Sequence, residues 1–253
     1  MKVYQFPCRQ DNFGVLIRDD ASGATATIDA PEEAAVRAAL AATGWGLTHI
    51  LVTHRHHDHI EGVAALKAAF GARVIAPAKA AEAVPEADQL VREGDRVTVG
   101  GLSAEVWETP GHCEDHVGYY FAGNAIMFVG DTLFALGCGR VFGEAYDAMW
   151  ASLSRIAALP GGTQLYFGHE YTLANGRFAL SVDPGNAALA AAIGRHQARL
   201  ARGEATSPTT VGEERATNPF LQAASPEMAA RLGLSGASAG AVFRALRERK
   251  NRF

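Results

Sequence analysis

The chain has 253 residues, enough for one large domain or a domain with a smaller partner, and for a substantial core. Its formal net charge of −4 leaves no electrostatic case for binding nucleic acid or an anionic membrane surface. No apolar stretch approaches a membrane-spanning length, and Cys8, Cys113 and Cys138 form no C-x-x-C pair, so free thiols in a reducing, cytoplasmic compartment are expected.

The N-terminal residues Met1-Lys2-Val3-Tyr4 enter a strand-like pattern directly, without the charged and apolar regions of a secretory leader. Alternating or continuous apolar runs then predict strands over 3–6, 14–17, 24–28, 50–53, 74–76, 102–107, 117–121, 125–129 and 165–167. Interleaved with them, helical spacing predicts helices over 31–43, closed by Gly44, and over 60–70, closed by Gly71. A third helix is predicted over 147–158, with Asp147 as its cap and Pro160 beyond its end. After residue 172 the pattern is helical, over 186–202, 226–232 and 239–250, with a Thr/Pro/Gly/Glu-rich connector over 205–218. The pattern alone gives an α+β fold with a helical tail.

Chemistry concentrates where strands end. The apolar run Ile50-Leu51-Val52 leads into Thr53-His54-Arg55-His56-His57-Asp58-His59, and His54, His56, Asp58 and His59 are more ligand capacity than one open zinc site needs. In extended backbone, His54 and His56 point the same way. Three other apolar runs end in Gly111-His112, Gly130-Asp131 and Gly168-His169, each ligand preceded by a glycine where the chain must turn. Asp131 could instead cap a following helix, but its place at a strand end favours a bridging carboxylate. His49, His57, His116 and His196 read as structural or solvated. No G-x-S-x-G or Ser-His-Asp pattern competes for the nucleophile role.

These residues carry a family resemblance. H-x-H-x-D-H, the later His after Thr109-Pro110-Gly111, and Gly130-Asp131-Thr132 resemble the metallo-β-lactamase superfamily. Gly137-Cys138-Gly139-Arg140, Gly168-His169-Glu170-Tyr171-Thr172, Thr217-Asn218-Pro219-Phe220 and the tail 247–253 are similar to its hydroxyacylglutathione hydrolase (glyoxalase II) branch, so the resemblance runs the length of the chain. It implies an α/β fold: an αβ/βα four-layer sandwich over 1–172 that carries a binuclear metal site, then a small all-helical substrate-binding domain over 173–253. It also implies two divalent ions per chain, zinc first, with iron or manganese as alternatives. His54, His56 and His112 would hold one ion and Asp58, His59 and His169 the other, with Asp131 bridging.

The implied reaction converts an S-(2-hydroxyacyl)glutathione, such as S-D-lactoylglutathione, to glutathione and a 2-hydroxy acid, the second step of methylglyoxal degradation. A hydroxide held between two cations about 3.5–4 Å apart would attack, because metal-bound water ionises near neutral pH, far below bulk water. Asp58 and Asp131 are the catalytic carboxylates of that scheme, and a thiolate leaves with little need of a strong acid.

Arg247 and Lys250, one helical turn apart, would hold the glycine carboxylate of glutathione, although without the resemblance they also read as a solvated helix end. Arg140, Phe142 and Tyr171 match positions over the same peptide. Some members carry lysine and tyrosine where this chain has Arg140 and Phe142, and the order Phe142-Gly143-Glu144 reverses the usual acid-before-glycine. The partner is then a small thioester, with no nucleic acid or membrane, and the chain a monomer. The alternatives are a persulfide dioxygenase-like enzyme with a single iron, or another metallo-β-lactamase-fold hydrolase. From a different class, a metal-binding regulatory or nucleic-acid-processing protein fits poorly, because the net charge is acidic and there is no basic extension.

Overall fold

Ile50-Leu51-Val52 and Val74-Ile75-Ala76 carry no polar residue on either face, the pattern of strands covered on both sides. In the computed structural model, which describes residues 1–253, both runs are buried and lie at the interior of a mixed six-stranded sheet. The chain divides into two units. The first comprises Met1–Glu108 and Glu114–Gly130, the second Thr109–Cys113 and Asp131–Phe253.

In the first unit, β1 (Lys2–Cys8), β2 (Asn12–Arg18) and β3 (Thr25–Ile28) form an antiparallel meander. The sheet continues in parallel through β4 (His49–Leu51), β5 (Arg73–Pro77) and β6 (Gln89–Val91). Helix α1 (Glu33–Thr43) makes the crossover from β3 to β4 and ends at Gly44 in the left-handed region, φ 68. Val36 and Leu40 of α1 pack with Val63 and Leu66 of α3 (Val63–Phe70) against Leu16, Ile50, Val52 and Val74. An antiparallel run of β7 (Arg96–Val99), β8 (Leu102–Glu108), β9 (Val117–Phe121) and β10 (Ile126–Gly130) completes the unit.

The helix expected over 60–70 is in fact two. A single turn, α2 (His57–Ile60), precedes α3, and the break falls at Glu61-Gly62. Ala30 donates its N–H to the His59 carbonyl, and Gly62 donates to the Ala30 carbonyl, both at 2.8–2.9 Å. A β-carbon at Gly62 would come within 3.0–3.1 Å of backbone at Glu33 and Ala30, tighter than β-carbons ordinarily pack, so this close approach favours glycine. The contact with residues 30–33 thus turns one periodic helix into two.

The second unit begins with a small hairpin, β11 (Leu133–Phe134) and β12 (Gly137–Cys138). It continues through α4 (Tyr146–Ala157), β13 (Gln164–Phe167), α5 (Thr172–Val182), α6 (Ala187–Ala201), β14 (Thr209–Thr210), α7 (Val211–Thr217), α8 (Pro226–Arg231) and α9 (Ala239–Arg252). Asp147 does not cap α4; it sits in the first turn, where unsatisfied N–H groups still favour its charge. The connector over 205–218 contains β14 and α7, whose Thr210 hydroxyl accepts the Glu213 N–H in the Thr-x-x-Glu manner of a capping box.

Glu214 of α7 is fully buried and ties this unit together. Its Oε2 accepts the Leu136 N–H and the Asn218 amide, both at 2.8 Å, and its Oε1 accepts the Thr209 hydroxyl at 2.7 Å. Asn218 in turn donates to the carbonyls of Phe134 and Gly137. Burial dominates and pushes the Glu214 carboxyl up to about 7, against the pull of its three donors. The folded state therefore holds this proton more tightly than the unfolded chain, whose carboxyl titrates near 4.5. The stability it contributes is present below about pH 4.5 and lost as pH rises through about 7. Glu214→Gln can keep all three hydrogen bonds if the Thr209 hydroxyl reverses. Urea midpoints should show wild type losing ground to this variant between pH 5 and pH 8. Parallel midpoints across that range would refute the assignment.

Candidate metal centre

Each unit brings its own ligand-type residues together. In the first, β3 ends at Ile28 and the next residue, Asp29, takes the left-handed conformation with φ 57. Its buried carboxylate accepts the Thr53 N–H at 2.7 Å, the Thr53 hydroxyl at 2.8 Å and His59 Nδ1 at 2.8 Å. A carboxylate at that distance keeps the His59 proton on Nδ1 and leaves Nε2 as a lone-pair donor. The Thr53 hydroxyl, having given its proton to Asp29, accepts from His54 Nδ1 at 3.0 Å, so His54 also presents Nε2. That nitrogen lies 3.0 Å from His56 Nδ1.

Residues 53–56 follow β4 without regular structure, so side-chain contacts, and not strand alternation, set the direction of His54 and His56. His57 points elsewhere: its side chain is 77 % exposed and faces Glu61. Fully buried His116 packs its ring 4.8 Å from that of His54, a structural place. It also explains Gly130, whose φ is 48 and whose β-carbon would meet His116 Nε2 and the Thr53 hydroxyl at under 3 Å.

In the second unit, Asp131 Oδ2 lies 3.6 Å from His112 Nε2 and 3.3 Å from His169 Nε2, with all three residues buried. His112 Nδ1 donates to the Arg140 carbonyl at 2.9 Å, which puts the ring's lone pair on Nε2. Gly111, at φ 139, turns the chain into His112 where a β-carbon would collide with Met149.

The first unit thus contributes His54, His56, Asp58 and His59 as potential ligands, and the second contributes His112, Asp131 and His169. Together these are the seven residues of the expected ligand set. Five imidazoles, those of His54, His59 and His112 with a second partner at Nδ1, together with carboxylates form a donor set that suits borderline divalent cations. The residues therefore fit a pair of divalent ions.

The sequence reading did not single out Asp29, although a signal was present: it too closes an apolar run, Ala26-Thr27-Ile28. Of the expected substrate residues, Phe142 is 54 % exposed with its ring 5.5 Å from that of His112. The exposed Tyr171 ring stacks on His169 at 4.9 Å. Arg140 is exposed. Arg247 is only 6 % exposed, and its Nη1 donates to the Cys138 carbonyl at 2.9 Å. Lys250 Nζ donates to the Ala174 carbonyl at 3.0 Å. Burial first, then repulsion from Arg247 and Arg177, brings the Lys250 ammonium down to about 8. Arg177 is a cation the sequence reading passed over.

The model of the metallo-beta-lactamase superfamily matches residues 20–169, and that of the hydroxyacylglutathione hydrolase C-terminus matches 170–253. A hydroxyacylglutathione hydrolase of Methylobacterium sp. (strain 4-46) is 56 % identical over 253 residues, covering 100 % of this chain and 99 % of that one. The chain belongs to the hydroxyacylglutathione hydrolase family. Another hydroxyacylglutathione hydrolase, from Rhizobium meliloti (strain 1021), is 50 % identical over 98 % of this chain and 97 % of its own. Among solved structures, ETHE1 from Myxococcus xanthus is 27 % identical with a TM-score of 0.68, covering 99 % of this chain and 98 % of that one. TTHA1623, solved in a di-iron-bound form, is 25 % identical with a TM-score of 0.60 over 87 % of this chain and all of its own. The fold is the metallo-beta-lactamase fold, α/β with mixed sheets and a C-terminal helical domain. Family and His/Asp cluster together imply a binuclear divalent metal site.

Proposed function

We propose that this chain hydrolyses S-(2-hydroxyacyl)glutathione thioesters, S-D-lactoylglutathione among them, to glutathione and a 2-hydroxy acid. The observation that carries the reading is the full-length likeness to hydroxyacylglutathione hydrolases at 50–56 % identity. In this reading His54, His56 and His112 hold one ion, Asp58, His59 and His169 the other, and Asp131 is shared. Zinc is the first choice, because mixed imidazole and carboxylate donors suit it. When bound, such a pair supplies a nucleophile at neutral pH and stabilises charge on the attacked carbonyl.

The chain's own residues do the rest. Asp29 and the Arg140 carbonyl hold the protons of His59 and His112 away from the ligand atoms. Asp58 orients the attacking hydroxide. Exposed Phe142, Tyr171 and Arg140 line the way for the peptide part of the thioester. Lys250, with Arg247 and Arg177 nearby, presents concentrated positive charge whose mutual repulsion an incoming carboxylate relieves.

Residues 1–172 then form the catalytic domain and 173–253 the substrate-binding domain. The same reading makes the protein a cytoplasmic monomer. Its three cysteines are unpaired, as a reducing compartment favours. The test is to purify the protein, count metal per chain, and follow loss of thioester absorbance with S-D-lactoylglutathione. Two ions per chain with turnover is the expected result. A fully metallated protein with no turnover would sink the reading.

A further inference from the structure

A short turn aims a buried amide at one of the proposed ligands. Residues 9–11 join β1 to β2, with Arg9 in the left-handed region at φ 51. Arg9 is anchored on both sides, its N–H donating to Glu32 Oε2 at 3.0 Å and its guanidinium pairing with Glu61. The turn closes by pairing Cys8 with Asn12, whose carbonyl also accepts the Cys8 thiol. Asn12, the first residue of β2, is thereby fixed and buried.

Its side-chain nitrogen lies 3.1 Å from Asp58 Oδ2 and 3.2 Å from the Asp58 backbone carbonyl. One NH₂ group has two hydrogens, so a single amide bridges the carboxylate to its own main chain and fixes its rotamer. Without that clamp Asp58 has an attractive alternative. It sits in the first turn of α2, where the positive end of the turn attracts a carboxylate. The chemistry of the clamp matters as well. A lysine or arginine here would compete with a cation for the carboxylate, whereas a neutral amide orients it and leaves its full charge for the ion.

We propose that Asn12 is a positioning residue for the second metal, holding Asp58 in its ligating rotamer. The inference rests on Asp58 being a ligand of that metal, as in the proposed function. Zinc per chain is measured by elemental analysis after dialysis against graded chelator, beside kcat, KM and Tm. Two variants are used: Asn12→Ala, and Asn12→Leu, which keeps the volume but removes the donor.

Both variants should bind the second zinc about 10–100-fold more weakly, the range seen for loss of an outer-shell partner. They should lose kcat in the same range with KM within about threefold, because the clamp acts through a metal ligand and not through the residues proposed to hold the peptide part. If Asn12→Leu keeps two zinc ions at wild-type affinity, the side chain only fills space and the inference is overturned, whatever Asn12→Ala does. If wild type itself never binds two, the ligand assignment falls and the clamp with it.

Discussion

Asp131→Ala is expected to leave a protein that holds fewer than two metal ions per chain and has lost more than about 100-fold in kcat. The lower bound comes from comparison: loss of a residue that merely supports a ligand costs about 10–100-fold, and loss of a shared ligand must cost more. Asp131 Oδ2 is within 3.6 Å of two imidazole nitrogens, those of His112 and His169, so its removal takes a carboxylate away from both. Two cations held close together would repel, and a carboxylate shared by them would offset this. Elemental analysis and thioester turnover check the expectation, with His57→Ala as a control, since that side chain is exposed and should alter neither. An Asp131→Ala protein with two ions and activity within tenfold of wild type would remove Asp131 from the centre.

Arg247→Ala carries the second large effect, and the structure changes what it should be. From sequence, both Arg247 and Lys250 read as cations for a substrate carboxylate, whose loss raises KM and leaves kcat alone. Arg247 has a further task. Its guanidinium donates to the Cys138 carbonyl at 2.9 Å and through Nε to Asn251 at 3.2 Å, with the Gly139 carbonyl at 3.5 Å and the Phe220 ring beneath it. Hydrogen bonds from a charged group contribute roughly 1.5–3 kcal/mol each, and truncation leaves buried carbonyls unpaired. A loss of about 3 kcal/mol is therefore expected, or roughly 6–12 °C in Tm for a chain of this size.

The tied segment leads from Asp131 to the Arg140 carbonyl that holds His112, so kcat should fall as well. Lys250→Ala separates the two effects. Its ammonium makes one backbone hydrogen bond, and its loss should raise KM with Tm and kcat nearly unchanged. Calorimetry with steady-state kinetics decides the matter. An Arg247→Ala protein with wild-type Tm would show that the guanidinium is not a structural tie.

The sequence by itself determined the ligand set as a candidate and the places where strands deliver it. Both signals are local: His54 to His59 are crowded into six residues, and Gly111, Gly130 and Gly168 each stand directly before a ligand-type side chain. Two of those glycines have the positive φ that such a turn requires. Continuous apolar runs such as Ile50-Leu51-Val52 likewise announce burial on both faces without reference to any partner. The family resemblance supplied the substrate, which the ligand cluster could not name.

Only the tertiary structure decided what orients those ligands. Asp29 reaches His59 across 30 residues, Asn12 reaches Asp58 across 46, and Arg247 reaches Cys138 across 109. An aspartate, an asparagine or an arginine is too common for its type to single it out, and the partner at that separation is set by chain crossing, not by spacing. The same reason hid the break at Gly62: apolar periodicity ran through it, and the close contact with Ala30 and Glu33 that disfavours a side chain there exists only after folding.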